Sequence, residues 1–309
     1  SATRVNSQGL IEDMQILSSN LVSNGDFSQE GSELITNGDF ATDTNWSLDT
    51  GWSISGGKAL CNGANLAYII QTGILNVGTS YKVQFDIVDY TSGSVKYRDN
   101  GLVSGQSFSG VGSYTDYVVA GGGQFRLMSE NFIGSIDNVS VKEVGQNWTL
   151  GTGWSIGDGK AISDGTSSNL SQPTILTVGK SYNITITVSN YISGVVEVSA
   201  GAAPRDEITA NGTYTFQQVA TPTTTFYIIS QSFNGSIDNV SVKEITSDTN
   251  LPRIDYTGGE GHWLFEPQST NLITQSELFS DSYWTKSGSS VVSGFISPDG
   301  TSNAFKLVE

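Results

Sequence analysis

Cysteine, histidine and proline are scarce in this chain: one, one and six among 309 residues. The single cysteine, Cys61, excludes an intrachain disulfide and reads as a small buried filler. The single histidine, His262, leaves no histidine metal cluster and no convincing Ser-His-Asp set. Its setting, Gly258-Gly-Glu-Gly-His-Trp263, reads as a loop in which the histidine is structural. Charge is sparse too, at 14 % of residues, and unbalanced, with 30 acidic against 14 basic side chains and a net charge of −16. Such a surface repels phosphate backbones and anionic lipid, which argues against nucleic acid as a partner. No apolar run approaches the ~18 residues of a bilayer span, so no membrane insertion is expected. Phosphate-binding loops and dinucleotide fingerprints are missing, and no carboxylate spacing singles out a hydrolytic pair. These gaps point away from an enzyme. The segment Ser1-Ala-Thr-Arg-Val5 has neither a starting Met nor the pattern of a signal peptide, so a trimmed or partial polypeptide is expected.

What is present is glycine, 36 residues, and aromatic mass, 6 Trp, 12 Tyr and 13 Phe, enough for several small cores. Low charge with many aromatics is the opposite of a disordered composition. The string GSIDNVSVKE occurs at Gly134–Glu143 and again at Gly235–Glu244, a spacing of 235 − 134 = 101 residues. Asn45-Trp46 to Gly51-Trp52-Ser-Ile54 returns as Asn147-Trp148 to Gly153-Trp154-Ser-Ile156, and Val77-Gly-Thr-Ser-Tyr81 returns as Val178-Gly-Lys-Ser-Tyr182. A period of that length matches a whole small domain rather than a solenoid coil.

Tyr81, Val83, Phe85 and Ile87 alternate with polar residues, and Tyr182–Val188 keeps the same phase, the pattern of a half-buried antiparallel strand. Gly56-Gly57 and Asp158-Gly159 each sit between apolar runs, as in a hairpin. No stretch has helical periodicity. The expected fold is all-β, two tandem jelly-roll sandwiches of about 100 residues each. The expected division is an extended segment over 1–33, modules over 34–144 and 145–246, a connector over 247–270, and the start of a third, incomplete module over 271–309. A two-residue junction after Val144 implies abutting modules. Asn37-Gly-Asp-Phe40 opens the first module; the second has no such string of its own, and a near-copy, Asn24-Gly-Asp-Phe27, lies upstream.

These strings resemble the carbohydrate-binding-module-like domains of tailed-bacteriophage virion proteins. Leu251-Pro-Arg-Ile-Asp-Tyr256, Glu266-Pro-Gln-Ser-Thr270 and Ser297-Pro-Asp-Gly-Thr301 are similar to segments of phage tail and fibre proteins. In that family a segment like Ser1–Glu12 runs almost directly into the Pro-Arg-Ile-Asp-Tyr segment, so the resemblance implies that the duplicated modules were inserted between them. It also implies a virion location, with homo-oligomeric and other virion proteins as partners and host surface polysaccharide as a ligand.

Trp46 and Trp148, each after an Asn in a loop, and Tyr90 and Tyr191 at strand ends are candidates for stacking on sugar rings; core packing is the other reading for the tryptophans. Trp52 and Trp154 share strand faces with isoleucines and read as core. Alternation places Asp137 in phase with Val139 and Val141, hence inward, and Asp238 likewise. An inward carboxylate needs loop amides or a cation. Related sandwiches carry a structural Ca²⁺ near the paired terminal strands, so both readings stand. The functional expectation is a non-enzymatic tail or head fibre or decoration subunit that attaches to glycans. A purely structural assembly subunit, and a bacterial adhesin or accessory module of a glycan-degrading enzyme, are the alternatives. Both terminal regions are expected to pack against other subunits.

Overall fold

Alternation in the sequence becomes strand throughout the computed structural model. It describes residues 2–5, 11–101, 103–202, 204–247, 253–255, 262–264, 278–296, 302 and 304–308, among which there is no helix. Contacts divide the chain into two units: Gln15–Asp248, and Ser1–Met14 together with Thr249–Glu309.

The chain begins with β1 (Ala2–Val5) and β2 (Ile11–Met14), an antiparallel pair, and enters the larger unit at β3 (Ile16–Leu17). Module 1 follows with β4 (Glu30–Glu33), β5 (Ser47–Leu48), β6 (Trp52–Ile54), β7 (Ala59–Asn62), β8 (Ala67–Thr72), β9 (Ser80–Arg98), β10 (Ser104–Phe108), β11 (Gly112–Val119) and β12 (Gln124–Val144). Module 2 repeats the order with β13 (Thr149–Leu150), β14 (Trp154–Gly157), β15 (Lys160–Asp164), β16 (Asn169–Gln172), β17 (Ser181–Ala200), β18 (Asp206–Ile208), β19 (Gly212–Val219) and β20 (Phe226–Ser247).

In each module two long bent strands run through both layers. The first half of β9 pairs with β11 and the end of β12; its second half pairs with β10 and the start of β12. Along β12 the partners change from β8 to β7 to β4. β17 and β20 repeat this with β19, β18, β16, β15 and finally β3. The changes of layer coincide with left-handed residues, Gly93 and Asn131 in module 1 and Gly194 and Ser232 in module 2. Bulges of this kind bend a strand and increase its twist. The expected alternation holds: Tyr81, Val83, Phe85 and Ile87 are each at most 1 % exposed. Cys61 is buried opposite Trp52, where module 2 sets Ser163 opposite Trp154.

Module 2 is not one continuous stretch. Val22 and Phe27 belong to its core, and Val144 does as well, whereas Ile35 and Phe40 belong to the core of module 1. The expected N-terminal segment 1–33 is therefore divided. Ile16–Phe27 completes module 2, β4 joins module 1, and residues 30–143 form an insertion within module 2. The upstream Asn-Gly-Asp-Phe string is the missing opening of the second module.

The two strings dock identically. Leu21 N donates to Val242 O at 2.8 Å and Val240 N to Gly25 O at 2.8 Å; Leu34 and Val139 make the same pair of bonds with Val141 O and Gly38 O, at 3.0 and 2.9 Å. Gln172 clamps both backbone groups of Ser23, as Gln71 clamps Thr36. A Cβ on Gly25 or Gly38 would overlap the carbonyl oxygen of Val240 or Val139, which is why the string carries glycine there. The modules also touch through β14: Ile156 N donates to Ser80 Oγ at 3.1 Å, and Gly157 lies under the Tyr117 ring.

Within the smaller unit, β1 lies beside β21 (Arg253–Asp255), which pairs with β22 (His262–Leu264), so His262 opens a strand rather than lying in a loop. β23 (Ser290–Phe295) pairs with β24 (Ala304–Val308). Phe279 stacks on Trp284 at 5.2 Å with Phe305 edge-on at 6.2 Å. Most of the expected connector 247–270 and the opening residues 271–277 of the third module lie outside the described residues.

Candidate functional site

Trp46 and Trp148 are core residues, 8 % and 7 % exposed, not platforms for sugar rings. Asn45 and Asn147 adopt left-handed φ of 70° and 73° and turn the following indole inward. Each indole Nε1 donates to the carbonyl of the docked string, Asn37 O or Asn24 O, at 2.9 Å. Each ring lies 5.2 Å from the Phe of that string, Phe40 or Phe27. The preceding Asn, read as loop exposure, is in fact the device that buries the ring. Trp52 and Trp154 are buried as expected, against Phe132 and Phe233.

Asp137 and Asp238 do not face inward either. Asn138 and Asn239 have φ of 52° and 51°, which breaks the alternation by one residue: Ile136 and Ile237 are buried and the aspartates emerge half-exposed. Their Oδ1 atoms accept the next backbone N–H, at 2.7 and 2.6 Å. Across the ladder Asp137 meets Asp86, but Asp238 meets Thr187. Among the described residues no three His, Cys, Asp or Glu side chains converge on either position, so these residues do not fit a side-chain calcium site.

Tyr90 and Tyr191 stand where the long strands cross between layers. Tyr90 is 39 % exposed, its ring 6.4 Å from Phe132. Tyr191 rests 6.3 Å from Phe233 and its hydroxyl donates to Gly194 O at 2.8 Å. The residues on either side of Tyr90, Asp89 and Thr91, line an open cleft of about 520 Å³ with Ser53, Leu60, Asn62 and Ile133; the Tyr90 ring, packed on Phe132, is not one of its walls. Leu60 and Ile133 are 38 % and 40 % exposed there. Lys58 reaches Asp89 at 3.1 Å, and Ser135 Oγ donates to the same carboxylate at 2.5 Å. These bonds, the serine's first, hold the Asp89 carboxyl below its ordinary range. Module 2 carries the same ground plan: exposed Ile162 stands in place of Leu60, exposed Ile192 in place of Thr91, and Asn190 bonds Ser236 where Asp89 bonds Ser135. Apolar ledges beside fixed polar groups suit the two-faced surface of a sugar ring.

A second cleft in module 1, about 690 Å³, is lined by Val103, Gly105, Gln106, Asp116 and Gly121 among others. Asp116 is buried and accepts Gln106 N–H at 2.8 Å and Tyr117 N–H at 3.0 Å. Desolvation raises its pKa above the ordinary carboxylate value, outweighing those bonds. Nearby, fully buried Asp99 accepts the N–H groups of Val103, Gly121 and Gly122 and the Tyr97 hydroxyl. Sequence reasoning missed this site. The signal was there: Asp116 falls in phase with Tyr114 and Val118 on β11, so alternation alone turns it inward. Phe216 holds the equivalent place on β19, opposite Ile184 as Asp116 is opposite Val83.

No family model matches the sequence, and no curated protein does. Among solved structures, the chain is similar to the N-terminal CBM22-1–CBM22-2 tandem domain of Xyn10C from Paenibacillus barcinonensis, at 10 % identity over 70 % of this chain and 99 % of that one, with a TM-score of 0.27. It is similar to the tandem CBM51 modules of Sp3GH98, the family 98 glycoside hydrolase of Streptococcus pneumoniae SP3-BS71, at 10 % identity over 80 % and 99 %, TM-score 0.24. Allantoicase is matched at 10 % identity over 73 % and 92 %, TM-score 0.27. None of these likenesses is close enough to assign a function.

Proposed function

We propose that this chain is a non-enzymatic glycan-binding protein whose two modules each contact sugar through the strand-crossing face at Tyr90 and Tyr191. The observation that carries this reading is a repetition in both copies: a tyrosine at the strand crossing, flanked in the chain by Asp89 and Thr91 or by Asn190 and Ile192, with an apolar ledge, Leu60 or Ile162, and a polar group anchored on Ser135 or Ser236. Weak contacts made twice on one compact unit gain avidity on a polymer with repeating units. Asp99 and Asp116 are engaged by backbone amides, an arrangement that supports a structural rather than a hydrolytic role. The virion setting, as a fibre or decoration subunit with homo-oligomeric and other virion partners, rests on the resemblance of the sequence strings. A bacterial adhesin or accessory module of a glycan-degrading enzyme would use the same faces.

The test is a glycan array probed with the full chain, followed by Tyr90→Ala and Tyr191→Ala together. Saturable hits lost in the double variant, with an unchanged melting midpoint, support the reading. An array without hits leaves the assembly-subunit alternative. Calcium as a structural cofactor is tested separately. A melting midpoint that rises with Ca²⁺ and falls with chelator would restore it; the geometry at Asp137 and Asp238 leads us to expect no change.

A further inference from the structure

Acidic side chains outnumber basic ones by 30 to 14 in this chain, and Lys58, Lys82, Lys96, Lys142, Lys180 and Arg205 each reach a carboxylate. Among the described residues Arg98 and Arg126 do not, and they are neighbours. Leu127 and Tyr97 face each other across β12 and β9 and are fully buried. The next residue on each strand, Arg126 and Arg98, therefore emerges on the outer surface of the sheet, side by side and half-buried. Residues in line with them complete a row across five strands. Ser47 on β5 pairs with Ile70 on β8, Ile70 pairs with Arg126 beside it, and Arg98 pairs with Ser104 on β10. Four strand spacings of about 4.8 Å make that row about 19 Å long, enough for several linked sugar units.

Arg126 is fixed in place. Its guanidinium lies over the Tyr68 ring, 5.4 Å from the centroid, and Gln124 Oε1 accepts from Nε, at 3.0 Å, and from Nη2. Because that anchor is a neutral amide, the charge stays uncompensated. No described residue accepts from the end-on edge of the guanidinium, one N–H on each Nη, and that fork matches the two oxygens of a carboxylate. Met128, in register between Tyr68 and Lys96, is 2 % exposed without belonging to the module core, so the side chains of this face pack down on the sheet. Lys96 itself is held by Glu130. Module 2 lacks the feature. Ser199 and Tyr227 stand in the two places, paired with each other, and Glu197, in the place of Lys96, holds Arg205 at 2.7 Å.

We propose that this row of module 1 is a subsite for an acidic sugar, in which Arg126 and Arg98 grip a uronate carboxylate. Ile70 lies beneath the sugar, and the exposed Ser47 and Ser104 stand at the ends of the row for hydroxyls of neighbouring units. The proposal rests on the glycan-binding reading and narrows it to a carboxylated polysaccharide, held on a face separate from Tyr90. The net charge of −16 repels a polyanion at long range. At physiological salt that field is screened beyond about 8 Å, so the local pair of arginines decides the contact.

The experiment measures binding of the full chain to short oligomers of polygalacturonate, alginate and hyaluronate by calorimetry at physiological salt. Methyl-esterified polygalacturonate, dextran sulfate and a set of neutral oligosaccharides are the comparisons. The expected result is saturable binding to at least one of the three uronates and none to the ester. Arg126→Gln and Arg98→Gln should each weaken it about tenfold or more with an unchanged melting midpoint. Arg126→Lys, which keeps the charge and loses the fork, should weaken it nearly as much. Tyr90→Ala with Tyr191→Ala should leave it in place. The proposal is overturned if none of the three uronates binds, if dextran sulfate binds as tightly as they do, or if their binding survives both arginine substitutions. Neutral sugars that bind through Tyr90 while the uronates do not would overturn it and leave the glycan-binding reading standing. A chain that binds neither kind removes both.

Discussion

At the scale of single residues, the side chains that look most like a binding platform in the sequence hold the core, and the modest Tyr90 is left at the surface. Trp148→Ala removes a buried indole and its bond to Asn24 O, so it should cost about 3–5 kcal/mol in denaturant unfolding. Tyr90→Ala, at an exposed position, should shift stability by less than about 1 kcal/mol. Two carboxylates should oppose each other in pH dependence. Asp116 binds its proton more tightly when folded, so its contribution is fully present below the unfolded value of 3.8 and is lost as pH rises through the higher folded value. Glu130, held by Lys96 first and then by Ser107 and Ser94, titrates at about 2; its contribution is present above the unfolded 4.5 and is lost as pH falls towards 2. Chemical unfolding across pH should therefore show Asp116→Asn flattening the decline on the neutral side and Glu130→Gln flattening the acid-side loss.

At the scale of elements, what was legible was local and what was hidden was long-range. Period-two alternation gave β9 and β17 their buried faces, and the Gly56-Gly57 and Asp158-Gly159 pairs marked the β6–β7 and β14–β15 hairpins. Alternation failed at Asp137 because one left-handed asparagine shifts the phase, and a strand pattern does not reveal a bulge. The loop reading of Trp46 failed for a related reason: the left-handed turn at Asn45 brings a loop residue into the core. The destination of Asn24–Phe27 was beyond reach, since nothing in that string distinguishes its groove from the one that takes Asn37–Phe40. Of the candidate site, the surface position of Tyr90 was anticipated, and Leu60, Ile133 and the Asp116 cleft were not. The crossed docking is directly testable by hydrogen exchange. Phe27→Ala should loosen Trp148 and the Val240–Val242 stretch while sparing module 1, which lies nearer in sequence. Phe40→Ala should do the reverse.

At the scale of the whole molecule, the architecture is nested: module 1 leaves and re-enters module 2 through neighbouring points. Glu30 pairs with Val144, and Asn24 Nδ2 donates to Gln146 O at 3.2 Å. Excising residues 30–143 and joining Gln29 to Val144, which belongs to the core of module 2, should leave a cooperatively melting protein with module 2 intact, as read by the Trp148 and Trp154 fluorescence. Excising 145–247 should leave Ile16–Phe27 without a groove. The same nesting fixes how tension would travel. Ile16 and Ser247 sit side by side at the end of module 2, so a pull on the flanking chain reaches β3 and β20 first and peels them apart bond by bond. Module 1 hangs from points that module 2 itself clamps, and it stays slack until module 2 has come undone. The outer module is thus a mechanical fuse for the inner one, and whatever module 1 holds is the last thing released under load.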